Sequence, residues 1–176
     1  AFGIIFTLGY GGYTHTLFLR ALQAHGLPLH VLAGLGGWLT FTAMGVSHRL
    51  LAMFMLSPEL DGAPTRWTLR LGTLALAIVI IAGPVAIAAR GNPDLALLIA
   101  GLISLACLAL YARDVVQLYR KRVRRVIELN SRMAGIALAH LAAATLLTIA
   151  LAALGLFGRY GGALVFLVCF GWLSGL

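Results

Sequence analysis

Histidine carries the candidate chemistry of this sequence. His15, His30, His48 and His140 fall in long apolar stretches, Arg49 directly follows His48, and His25 sits in a polar turn. A neutral imidazole is the commonest metal ligand and a standard axial ligand of haem. An ionisable group placed in hydrocarbon is expensive, so it is a functional candidate by default. His30 and His48 are 18 residues apart, about five full helical turns, which sets both rings on one helix face about 27 Å apart. Gly34, Gly37, Phe41 and Met44 lie near the same stripe, where a large group or a neighbouring helix could approach the backbone. Depth along the helices pairs the rings further. His15 and His30 meet at one membrane face, while His48 and His140 each lie roughly 10–12 Å in from the other. The sequence therefore permits an outer pair, His15 with His30, and an inner pair, His48 with His140. His140 is the strongest single candidate, because Leu138, Ala139, Leu141, Ala142 and Ala143 leave it no polar alternative. The plain counter-reading is that each ring hydrogen-bonds a neighbouring helix or sits at the interface.

The acids point the same way. All five, Glu59, Asp61, Asp94, Asp114 and Glu128, fall in expected loops or at helix ends, so no carboxylate is expected within a span. That argues against proton relays through Asp or Glu and excludes di-iron carboxylate sites and paired-carboxylate hydrolysis. There is no phosphate-binding P-loop, no nucleophile elbow and no His-Glu-x-x-His zinc motif. Ser174-Gly175 with His140 resembles a hydrolase pair in residue identity only. Cys107 and Cys169 lie in apolar runs at no metal-binding spacing and read as small hydrophobes.

These residues need positioning elements, and composition says what they are. Hydrophobic residues make up 61% of the chain, charged residues 10%, and mean hydropathy is +1.00. Soluble domains carry about a quarter charged residues. With about 20 residues per crossing, the chain reads as one all-α domain over 1–176, a polytopic bundle of about six transmembrane spans. The spans are expected at 2–19, 30–56, 68–89, 95–112, 133–156 and 161–176. Asn92 to Asp94 form a helix-start cluster, and Pro84 predicts a kink. Gly9, Gly12, Ala33 and Gly37 are spaced for close helix packing. Both ends are apolar and there is no initiator Met, which reads as a fragment of a longer chain.

The net charge of +8 does not point to nucleic acid, since no soluble reading element exists. Seven of the 13 basic residues, Arg113, Arg120, Lys121, Arg122, Arg124, Arg125 and Arg132, cluster between two spans. By the positive-inside rule the 113–132 loop is expected to be cytoplasmic, in a bacterial inner membrane. The cluster could also hold anionic lipid headgroups.

The stretch from His30 through Gly37-Trp38, Gly45-Val46, Arg49-Leu50-Leu51 and Met53-Phe54 resembles bacterial multi-spanning proteins related to haem–copper oxidase subunit I and to NnrS-like haem–copper proteins. His140-Leu141-Ala142 and Phe170-Gly171-Trp172-Leu173-Ser174 resemble segments of the same proteins. About a third of the chain is covered. The pattern departs at Ala52, where proline is expected, and at His48, where relatives carry an aromatic; only His30 and His140 match its histidines. The chain also lacks the closely spaced His-His pair those oxidases use at copper. The resemblance implies a b-type haem, with copper as the lesser alternative, metal ligation by His30 and His140, and a role in respiratory electron transfer or nitric-oxide handling. Any enzymatic role would be oxidoreductase-like. The alternatives are a cofactor-free scaffold among other membrane subunits and a small-molecule transporter, whose marker would be broken helices at mid-membrane.

Overall fold

In the computed structural model, residues 26–58, 60, 62–89, 91–123 and 129–175 are described. The expected first span at 2–19, with His15, Gly9 and Gly12, and the turn carrying His25 lie outside them. The described residues form helices and connecting turns, with no strand. Helix α1 has its apolar span at Leu29–Met55, α2 covers Ala63–Ala88, α3 Asp94–Arg120 and α4 Leu129–Ala153. All four are long and apolar enough to cross a membrane. Helix α5 is shorter, with α-helix over Phe157–Phe166 running into wider turns over Leu167–Leu173. The expected count of about six thus stands at four long spans among the described residues, with α5 as a shorter apolar helix.

Short turns make sequential neighbours antiparallel. Leu56 (φ 51°) and Gly155 (φ 65°) take the left-handed conformation that ends α1 and α4. The expected helix-start cluster is present: the Asn92 side-chain oxygen accepts from the Asp94 N–H at 3.0 Å, satisfying one of the orphan donors of α3. Helices α2, α3, α4 and α5 pack in sequence, and α1 closes the bundle against α2, α3 and α5. The fully buried Trp172, Tyr111, Leu29, Leu97 and Leu118 fill its interior.

One boundary differs from expectation with consequences for function. The fourth span was expected to end at 112, with a basic loop from 113; α3 instead continues as helix to Arg120. Arg113 and Arg120 are exposed, while Tyr111, Asp114, Val115 and Leu118 continue the buried stripe. The arginines point outward on long stems and do not break the helix. At 1.5 Å per residue α3 is about 40 Å long, against roughly 30 Å of hydrocarbon. Its basic end therefore extends through the interface. Arg132 likewise belongs to α4, so the connection between α3 and α4 is much shorter than 113–132.

Three helices contain wide, π-type turns, at Leu32–Leu39 in α1, Ile78–Ala82 in α2 and Leu167–Leu173 in α5. Those in α2 end at Gly83-Pro84, where proline removes a backbone donor. Sequence inspection had identified only this last irregularity.

Glycines set the closest helix approaches. Leu76 covers Gly37, the Phe41 ring covers Gly72, and Ile149 covers Gly101. A methyl group at Gly171 would stand 2.7 Å from His140 Cβ. Because that atom is fixed close to the α4 backbone, α4 and α5 would have to separate. Gly171→Ala should lower unfolding stability by about 1–3 kcal/mol. Gly34→Ala, with no described atom within 4 Å, should be neutral or slightly stabilising. Thermal unfolding of the two variants in one detergent checks the contrast; equal melting temperatures would contradict it.

Candidate functional site

Asp114 is the residue that sequence inspection misplaced. It is 2% exposed, on the packed face of α3. Its position corrects the expectation that no carboxylate lies within a span. The error came from taking Arg113 as the start of a loop. A carboxylate so buried needs partners, and two other helices supply them. The Thr65 hydroxyl of α2 donates to Asp114 Oδ2 at 2.8 Å, and His48 Nε2 of α1 stands 3.7 Å from the same oxygen. The His48 separation is an ion-pair distance and too long for a direct hydrogen bond; the buried His48 Nε2 has no hydrogen-bond partner among the described residues.

Around this pair lies a ring of polar and aromatic groups. The Ser47 hydroxyl donates to Met44 O at 2.9 Å, which commits its only hydrogen. At the 2.5 Å Ser47–Tyr111 contact the Tyr111 O–H is therefore the donor. The His48 ring meets Tyr111 edge-on at 5.0 Å, and Tyr111 meets Trp172 edge-on at 6.3 Å. Trp172 is completely buried and its indole N–H has no hydrogen-bond partner among the described residues. Helices α1, α2, α3 and α5 thus all contribute to one cluster near the basic end of the bundle.

One turn deeper lies a cavity of about 120 Å³. Met44 and Leu108 line it, one turn from Ser47 and Tyr111, and Val168 lines it one turn from Trp172. Its walls include Leu35, Gly36 and Gly37, Val79 and Val168 from the wide-turn segments of α1, α2 and α5. The Cys107 thiol also lines it and donates to Thr68 O.

The other candidate histidines take separate places. His30 is exposed at the opposite end of α1 from His48. His140 shares a hydrogen bond at 2.9 Å between Nδ1 and Ile136 O of its own helix and packs on Gly171. The glycines near the His30–His48 stripe include Gly37, which receives a leucine of α2 and not a macrocycle. Ser174 donates to Phe170 O, so the Ser174–His140 hydrolase pair is not formed. A haem held by two histidines needs imidazoles on facing helices directed into one gap. His48 Nε2 stands beside Asp114 Oδ2, and the bond to Ile136 O occupies only Nδ1 of His140, the arrangement that orients a histidine whose Nε2 is the ligand. Among the described residues no three His, Cys, Asp or Glu side chains group to hold a metal ion. His15, the remaining candidate, lies outside the described residues.

The Asp114 cluster holds three helices together, and its removal is measurable. Asp114→Leu strips Thr65 of its acceptor and should cost about 1–3 kcal/mol. Asp114→Asn retains an acceptor oxygen and should cost less. Tyr111→Phe removes one donor and should cost about 1 kcal/mol. Chemical or thermal unfolding in detergent gives the order; an Asp114→Leu protein as stable as the parent would refute the assignment.

No known protein family, curated protein or solved structure matches this chain.

Proposed function

We propose that this chain is a membrane transporter of a small molecule, with proton binding and release at the His48–Asp114 pair coupled to movement of its solute. The supporting observation is the buried carboxylate at 3.7 Å from an imidazole on another helix. Acidic and histidine side chains inside a bundle are the usual carriers of protons through membrane proteins. Protonating Asp114 removes its attraction for His48 and leaves its link to Thr65. The hold of α1 on α3 thereby changes with a single proton, while that of α2 on α3 does not.

Two further features favour transport over an electron-transfer role. A cavity adjoins the pair, and irregular turns occur in three of the helices that wall it. Non-helical or widened backbone inside a membrane is tolerated where it lines a cavity, and discontinuous helices mark substrate sites in secondary transporters. The haem reading, by contrast, has no group of three His, Cys, Asp or Glu among the described residues to support it. The excess of Arg and Lys at one end supports a cytoplasmic position for that end in a bacterial inner membrane.

Proteoliposomes loaded with a pH-sensitive dye test the reading. A potassium diffusion potential should drive proton entry faster than in protein-free vesicles. Asp114→Asn and His48→Ala should return the rate to that of protein-free vesicles, and His140→Ala should leave it unchanged. Proton entry indifferent to Asp114→Asn would end the proposal. A Soret band in the purified protein that disappears with His140→Ala would restore the haem reading in its place.

A further inference from the structure

Hydroxyl groups in a waterless bundle ordinarily donate to a carbonyl of their own helix. Thr40, Thr42, Ser47, Thr68, Thr145 and Thr148 all do so. Ser104 of α3 does not. Its side chain makes no hydrogen bond among the described residues, and it lines the cavity above the His48–Asp114 cluster. Thr145 and Thr148 of α4 line the same cavity; their hydrogens are committed but their oxygens retain lone pairs. The described lining carries no charged side chain. A charged guest would enter without a counter-charge and bear its full desolvation cost. A purely apolar guest would leave the Ser104 hydroxyl unsatisfied. The volume of about 120 Å³ is close to that of an engineered cavity of about 150 Å³ that accepts benzene.

We propose that this cavity is a binding site for an uncharged molecule of one-ring size, bearing a hydrogen-bonding group that meets Ser104. It names the solute class of the transporter proposed above, and rests on that reading for its role. The site itself can be measured apart from any proton movement.

Fluorine NMR of 4-fluorophenol with the detergent-purified protein provides the test. A bound resonance distinct from that of protein-free micelles is expected. Ser104→Leu, or Thr148→Leu of α4 should the first fail to fold, should remove it. Ser104→Ala should weaken 4-fluorophenol binding about fivefold and leave fluorobenzene binding unchanged. A signal identical to that of micelles, one that survives both filling variants, or equal loss for both probes in Ser104→Ala would overturn the site. Asp114→Asn should leave the bound resonance intact. A bound probe with no proton movement in proteoliposomes keeps the site and discards the coupling. Proton movement with no bound probe discards the ligand class and leaves the proton reading standing.

Discussion

Hydrocarbon offers no hydrogen bonds, so each polar atom inside this bundle must be satisfied by protein. Most of the chain obeys through its own helices: backbone groups bond along the axis, and eight threonine and serine hydroxyls among the described residues donate back to carbonyls. Asp114 cannot be satisfied that way. A carboxylate facing inward from α3 draws Thr65 from α2 and His48 from α1 into reach. Those contacts fix the rotation of three helices about their axes. Tyr111, three residues earlier on the same face, extends the constraint to Ser47 and to Trp172.

Between the polar contacts, packing depends on missing side chains. Leu76 lies over Gly37 and Phe41 over Gly72, so α1 and α2 interlock from both sides. Gly101 admits Ile149 between α3 and α4, and Gly171 admits His140 between α4 and α5. Apolar attraction between helices is weak in lipid, and close backbone approach replaces it. Where the turns widen, at Leu32–Leu39, Ile78–Ala82 and Leu167–Leu173, the surfaces no longer interlock, and the cavity lies against those segments.

Much of the architecture was legible from hydropathy. The second span was expected at 30–56 and is found at Leu29–Met55; the Asn92–Asp94 start of α3 is where turn chemistry placed it. The site was less legible, because charge was read as a boundary. Arg113 suggested water, and Asp114 was assigned with it. The helical period held the correction: Leu97, Ala100, Ser104, Cys107, Tyr111, Asp114 and Leu118 follow steps of three and four along one face, which puts the acid inside and both arginines outside. His140 shows the converse. Its apolar neighbours are legible in sequence, but the bond from its Nδ1 to Ile136 O and the glycine of the facing helix against which it packs are not. His48 was identified, but its neighbour Asp114 on α3 was not.

The polar pair and the cavity share more than proximity. Ser47 and Tyr111 are bonded to each other and stand one turn below Met44 and Leu108, which line the cavity. His48 touches Tyr111 through its ring and Asp114 through Nε2. A change in the hold between His48 and Asp114 therefore acts on Tyr111, and through Tyr111 on both α1 and the buried indole of α5. Residues one helical turn apart on α1 and α3 line the cavity and surround the carboxylate. In the transport reading, proton and solute need no long pathway between them, only the single turn of α1 and α3 that both sites use.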